Sequence, residues 1–405
     1  MRPLIVIAML LLAACESPNS VTRIGLMEPP VVYASGQIDP FPATLPPDRD
    51  IPYATQRSPS GPGDDRTYAD RPSTILRVGH AEVAIGAEDG QAVDTTTLLP
   101  REERAVPLVV DIDRIREAGP LAASRHPAAD PALFPEGTEG VDAAFADRVN
   151  RQITAAEGDD IVIYVHGTRA DFENPVLAAA ELQHFSGYRN VFLAYAWPAN
   201  TGFLTYFQDT EDSENAAFQF RRFIRFLAAE TTARRIHVIA HSAGTRMVSE
   251  ALGQFGLEYA TASPARIRDE LALGQVILIG SDADPSRVGS QLIEGANRIV
   301  ERLMIYASGR DRALNVSTLL FGERNRLGQT TTERLPDYVE TFLNNLGNMT
   351  IIDVTDAERS NVANGHGYLR GSPWVSSDIL AAVNFDLDPA ARGLVRRSDG
   401  LRWSF

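Results

Sequence analysis

From Asp159 onward, short and nearly continuous apolar runs alternate with longer stretches in which apolar residues recur at helical spacing. Ile161 to Val165, Val191 to Ala196, Ile236 to Ala240, Val276 to Gly280, Leu303 to Ala307 and Thr350 to Val354 each read as a short strand. Asn174 to His184 reads as a helix, and Ala216 to Thr231 as another whose Phe220, Phe223, Ile224 and Leu227 share one face. Strands with apolar residues in succession need cover on both sides, and helical text separates nearly all of them. The pattern predicts βαβ units in an α/β fold, a mostly parallel sheet with helices on both faces. No internal repeat is present.

Upstream the pattern is weaker. Leu76 to Ile85 mixes β-branched residues with polar alternation and reads as the first strand. Residues 97–150 are rich in Ala, Pro and acids and read as an insertion or helical excursion, with a strand candidate at Leu108 to Ile112. Residues 15–50, rich in Pro, Ser and Asp without a sustained period, read as a tether. That leaves 51–405 as one globular domain. Residues 1–14, MRPLIVIAMLLLAA, carry one positive charge before an apolar run too short to cross a bilayer as a mature helix, and suit an export signal. The next residue is Cys15, the single cysteine of the chain. Leu12-Ala13-Ala14-Cys15 resembles the lipobox of bacterial lipoproteins. The resemblance implies acylation of Cys15 (palmitate among the chains), and a lipid-anchored, periplasm-facing protein of the bacterial cell envelope. With no second thiol, no internal disulfide is expected in that oxidising compartment.

Composition narrows the chemistry. A chain of 405 residues with 44% hydrophobic and 22% charged residues can bury a large core. Its formal charge of −15 argues against a nucleic-acid partner. The chain contains no lysine at all. That removes the P-loop lysine, Schiff-base chemistry and Ser-Lys nucleophile schemes.

The stretch RIHVIAHSAGTRMVS, Arg235 to Ser249, passes from strand text to helix text around one serine. A nucleophile elbow has this form, and its tight bend needs small residues two before and two after the nucleophile. Those positions hold Ala240 and Gly244, flanking Ser242. Met247, Val248, Ala251, Leu252 and Phe255 then recur at helical spacing. The start of that helix directs N–H groups at the serine, which favours a developing oxyanion.

In this architecture the triad runs Ser, then acid, then His. Of seven histidines, six precede Ser242, and only His366 follows it, in the loop ANGHGYLRG. Two loops offer the acid: Ser281-Asp282-Ala283-Asp284 and Ser308-Gly309-Arg310-Asp311. Asp311 is preferred because it lies one strand closer to His366; Asp282 and Asp284 stay in reserve, otherwise orienting loops or capping the helix after Pro285. The oxyanion donors are expected from the Ala243 amide and from Gly167 or Thr168 in YVHGTR, with His166 holding that loop by hydrogen bonds.

In order, YVHGTRADF, YAWPAN, HVIAHSAG, IYASGRDRAL and GHGYLRGSP resemble the landmarks of a bacterial α/β-hydrolase family of unknown function in the esterase/lipase superfamily. YATQR (Tyr53 to Arg57) and VGHAEVAIG (Val78 to Gly86) also resemble its upstream motifs. The resemblance covers about residues 50–385 and implies Ser242 as nucleophile, Asp311 as acid and His366 as base. Thr168 and Arg169 depart from the family's usual Tyr-Asn, and Ala243 from its usual Met.

The expectation is a membrane-anchored serine hydrolase, a carboxylesterase forming an acyl-enzyme on a small ester, without metal or cofactor. Its acid limb should lie near pH ~6.5 unless the site moves it. One helix between the fourth and fifth strands suggests an open site, with Trp197, Phe203, Tyr206 and Phe207 as aromatics for its rim or, equally, for the core. Two other classes compete. His237 and His241 are four apart, but lie on a strand without the intervening Glu of zinc proteases. The other is a non-catalytic cell-envelope binding protein on a hydrolase fold.

Overall fold

A computed structural model describes residues 22–34, 40–61, 66–87, 95–199, 206–314, 326–329, 337–398 and 400–405. In chain order its strands are β1 (Arg23–Gly25), β2 (Ile51–Ser60), β3 (Thr67–Ala87), β4 (Leu108–Pro120), β5 (Asp160–Val165), β6 (Val191–Ala196), β7 (Arg235–His241), β8 (Leu273–Ile279), β9 (Arg302–Ala307), β10 (Met349–Asp353), β11 (Val395–Arg396) and β12 (Arg402–Ser404). They form one sheet in the order β1-β4-β3-β2-β6-β5-β7-β8-β9-β10-β12-β11. Every pairing from β2 to β12 across the middle is parallel, while β1, β4, β3 and β2 pair antiparallel at one end and β11 with β12 at the other.

The larger helices are α1 (Val141–Ala155), α2 (Glu173–Phe185), α3 (Tyr206–Glu230), α4 (Gly244–Glu258), α5 (Pro264–Leu271), α6 (Pro285–Ile293), α7 (Asp337–Leu346) and α8 (Pro373–Phe385). The double apolarity of the central strands follows from the layering. Ile161, Ile163 and Val165 of β5 join a core with Val149, Phe223 and Met247 from α1, α3 and α4. Val162 and Tyr164, on the opposite face, join a second core with Val176, Leu182 and Ile379 from α2 and α8. Each such buried side chain stabilises the fold by about 1.5–3 kcal/mol, so neither face could be left to water.

The six strands expected after Asp159 are all present, within three residues of their expected starts. Three upstream expectations need correction. The described part of the tether is packed: β1 pairs with β4, and Leu26, Met27 and Tyr33 are buried. Met27 N donates to Glu181 Oε1 at 2.8 Å and Val32 N to Ser377 Oγ at 3.0 Å. A few apolar residues in Pro-rich text were enough to dock it. Residues 97–150 are no excursion, because β4 completes the antiparallel end and α1 covers one face. The first strand of the domain is β2, not Leu76 to Ile85, which is one part of the longer β3. Cys15 and the whole export-signal reading lie outside the described residues. No helix among the described residues is long and apolar enough to cross a membrane.

Candidate active site

β7 ends at His241, and Ser242 takes a left-handed backbone, φ 53°, before α4 begins at Gly244. For a residue with a side chain, that conformation costs about 1–2 kcal/mol. The surroundings enforce it. Ser242 N donates to Ile279 O at 2.9 Å, tying the bend to the end of β8, and Thr245 N donates to Ser242 O at 3.0 Å. A Cβ on Gly244 would sit 2.3 Å from His166 O, so only glycine lets the helix start that close to the loop after β5. A Cβ on Gly167 would lie 2.7 Å from Ser242 Cβ and 3.3 Å from Ser242 Oγ, which places the Gly167 backbone directly beside the hydroxyl. The small residues around Ser242 are therefore a requirement of packing. Ala243 is buried at the start of α4, where amides lack partners within the helix. Thr168 is half-buried in the loop beside Gly167.

His366 is brought to the same edge by a tight turn. Ala363, Asn364 and Gly365 all have positive φ (49°, 60° and 80°), and a Cβ on Gly365 would lie 2.4 Å from Arg310 O. This glycine lets the histidine loop press against the loop carrying Asp311. The result is a 2.6 Å contact between His366 Nδ1 and Asp311 Oδ2. Because a carboxylate accepts, Nδ1 carries the proton and Nε2 is left as the basic nitrogen. Asp311 has a fully buried side chain, and its second oxygen accepts Leu314 N at 3.1 Å. Burial lowers the His366 pKa, but the Asp311 carboxylate outweighs it by charge and hydrogen bond, with a further push from Asp282, and the net direction is upward. The His366 imidazole rests over Gly280 (φ 53°), at the end of the strand that accepts Ser242 N. Ser242, Asp311 and His366 thus converge on the C-terminal edge of β7, β8 and β9, the edge where ligands bind in open α/β sheets.

The reserve acids have other work. Asp284 caps α6, accepting Ser286 N and Arg287 N at 2.8 and 3.1 Å. Asp282 is paired with Arg246 at 2.8 Å. His166 sits in the loop after β5, its nitrogens 2.7 Å from Gly167 O and 3.1 Å from Trp197 O, its ring stacked on Trp197. Burial pushes its pKa down to about 3, so the ring is neutral and positions the loop. Trp197 is fully buried, which removes it from the rim. The side chains of Phe203, Tyr206 and Phe207 lie outside the described residues.

Two participants escaped the sequence reading. Arg57, fully buried at the end of the YATQR motif, pairs with Asp70 at 2.8 Å and donates to the carbonyls of Ala170, Trp197 and Ala199 at 2.6, 3.2 and 3.1 Å. It binds together the loops after β5 and β6. The other is His241, whose Nε2 lies 3.2 Å from His366 O and whose ring centroid is 4.8 Å from that of His366. The YATQR motif itself was the available signal for Arg57; a histidine adjoining the nucleophile was the one for His241.

The metal alternative fails on geometry. His237 and His241 lie on a strand, where a four-residue separation spans about 13 Å. His237 is instead engaged with Asp160 at 3.2 Å and accepts Gln275 N at 2.9 Å. Asp50, His80 and Glu82 are close enough to share an ion, but arginines already occupy them: Arg148 lies 3.2 Å from His80 Nε2 and 2.7 Å from Asp50 Oδ2, and Arg116 pairs with Glu82. A polar cavity of about 450 Å³ lies at the opposite edge of the sheet, near Asp160, Arg189 and Arg235, away from Ser242.

Comparison with a family model agrees with this architecture. The model of a family described as alpha/beta hydrolase of unknown function (DUF900) matches residues 141–383. No curated protein matches the sequence. Among solved structures, esterase B from Lactobacillus rhamnosis inhibited by a C4-C4 tributyrin phosphonate is similar at 10% identity and a TM-score of 0.33, covering 58% of this chain and 79% of that one. Another structure of esterase B from Lactobacillus rhamnosis (HN001) gives 12% identity and a TM-score of 0.25, covering 47% of this chain and 75% of that one.

Proposed function

The chain belongs to the alpha/beta hydrolases of unknown function (DUF900), and from that premise we propose that it is a serine hydrolase acting on carboxylic esters through Ser242, His366 and Asp311. The observation that carries the proposal is the 2.6 Å His366–Asp311 pair, standing over the strand end to which the left-handed Ser242 is tied.

His366 Nε2 takes the proton of Ser242 Oγ as the oxygen attacks the ester carbonyl. The resulting oxyanion is held by the amides of Ala243 and of Gly167 or Thr168. Collapse breaks the C–O bond to the leaving alcohol, which receives the proton from His366, and leaves an acyl-enzyme on Ser242. Water then gives a proton to His366 and attacks the acyl carbon; breakdown returns the proton to Ser242 and releases the carboxylic acid. Asp311 keeps Nδ1 protonated and offsets the charge of the transient imidazolium. The lipobox-like Leu12 to Cys15 supports a reading in which this site works at the membrane surface of a cell envelope, anchored through acylated Cys15.

The test is labelling by a fluorophosphonate, read by intact mass, with wild type and Ser242→Ala in parallel. One adduct on wild type and none on the variant is expected. Folded wild type that stays unlabelled would favour the non-catalytic envelope protein instead. For the anchor, detergent-phase partitioning of wild type should be lost in Cys15→Ser.

A further inference from the structure

His241 is the last residue of β7 and the immediate neighbour of Ser242, yet the proposed reaction does not use it. Its Nε2 lies 3.2 Å from the backbone oxygen of His366. A carbonyl only accepts, so this nitrogen carries the proton and the tautomer is set: Nε2–H donates and Nδ1 holds the lone pair. The rings of His241 and His366 meet at 4.8 Å between centroids, inclined by 46°. On its other side the Nδ1 edge lies against Gly167, where a Cβ would come within 3.4 Å. His241 therefore stands between the oxyanion loop and the base while linked covalently to the nucleophile.

We propose that His241 is a positioning residue for the base, its Nε2–H fixing the His366 carbonyl and its ring setting how far the His366 imidazole stands from Ser242. The proposal rests on the serine-hydrolase reading for its kinetic part only. Beside the base the loop is also fastened by Tyr368, whose hydroxyl donates to Tyr306 O at 2.9 Å and accepts Gly280 N at 2.6 Å, and by Nδ1 of His366 on Asp311; four residues on, Arg370 holds Glu181, but among these contacts only that of His241 is made to the His366 backbone. Removing the Nε2–H frees the backbone of His366 itself, and the Asp311 contact loosens with it.

The charge state of His241 suits this role. Burial, and then the adjacent His366 imidazole, lower its pKa to about 3, so it remains a neutral donor across the working range. The titratable groups facing His241 are His366 and, from the loop after β5, His166. Those facing His366 are Asp311 after β9, Asp282 after β8, Tyr368 on its own loop and His241 from β7. A neutral His241 adds no cation beside an imidazole that must accept a proton.

The experiment compares His241→Phe, which keeps a ring without the donor, with His241→Gln, whose amide nitrogen reaches about as far as Nε2. In the Ser242→Ala background, where turnover is irrelevant, the His366 imidazole is titrated by NMR, its signal assigned by His366→Ala. The raised His366 pKa is expected to fall toward the ordinary value of about 6.5 in His241→Phe and to recover in His241→Gln. With Ser242 intact, kcat on a short-chain nitrophenyl ester should drop up to about a hundredfold in His241→Phe, with KM changed by less than about twofold. Should His241→Phe not fold, His241→Asn, too short to reach the carbonyl, takes its place. An unmoved His366 titration overturns the proposal, as does His241→Gln behaving like His241→Phe. If His366 shifts as expected while no fluorophosphonate adduct forms on wild type, the serine-hydrolase reading fails and the positioning role stands.

Discussion

Asp311 and His366 are joined by a 2.6 Å contact in which the aspartate side chain is wholly buried and the imidazole keeps an edge, 16% exposed, toward solvent. Burial alone would lower the imidazole pKa; the carboxylate reverses the sign. Activity needs neutral His366, so it should fall as pH drops through a value above the ordinary 6.5 or so. A pH profile of kcat/KM checks this, and a limb at or below the ordinary value would contradict the geometry. Asp311→Asn should move the limb downward and reduce kcat.

The same pair couples to stability with a definite sign. A histidine whose folded pKa is raised contributes stability that is complete below its unfolded pKa and is lost as pH rises through the folded one. Denaturant midpoints for wild type minus His366→Gln should therefore be larger on the acid side of neutrality than near pH 9. A difference that grew with pH would mean the imidazole is not stabilised as a cation.

Ser242 is held at φ 53° without glycine's freedom. Ser242→Gly should abolish fluorophosphonate labelling and still raise unfolding stability by about 1 kcal/mol, read from urea midpoints. A destabilised Gly variant would show that the hydroxyl contributes more than the strain costs.

Gly167 offers a steric test of the oxyanion side. Its Cβ would meet Ser242 Cβ at 2.7 Å, so Gly167→Ala should displace the nucleophile or the loop. The expected result is a kcat loss of about a hundredfold, with far-UV circular dichroism unchanged. Near-wild-type turnover would mean that the two segments move apart freely.

Arg57 ties three carbonyls and Asp70 around a fully buried guanidinium. Arg57→Ala strands them and should cost about 3–5 kcal/mol in urea unfolding. Arg57→Lys should rescue little, because an ammonium cannot reproduce the planar fork. By contrast Asp284→Ala should cost about 1 kcal/mol, the value of an N-cap, with kcat unchanged.

The central sheet was legible because its strands are apolar on both faces, and Val191–Ala196 emerges with the bounds its hydrophobic run suggested. Ser242, Asp311 and His366 could be chosen from chain order and loop position, and they lie on one sheet edge. The antiparallel end was legible only in part: Leu76 to Ile85 falls within β3 and Leu108 to Ile112 opens β4, but β2 contains two prolines and the rest of β3 interleaves polar residues as half-exposed strands do. The docking of residues 22–34 depends on a handful of side chains meeting partners some 150 to 345 positions away, which no local period records. Trp197 could be read as rim or core because aromatics near a strand end face either way; stacking on His166 turns it inward.

Arg370, four residues past His366, forks onto Glu181 at 2.6 and 2.9 Å, and the same carboxylate receives Met27 N while Arg370 reaches Gly25 O at 3.0 Å. This arrangement makes a load path. Tension applied at β1 runs through Gly25 and Met27 into the arginine four residues from the base. Cutting the protein back to Ile51 for convenience would sever that path and leave Glu181 and Arg370 short of two backbone partners, altering the footing of His366 in a molecule whose own nucleophile and acid were untouched.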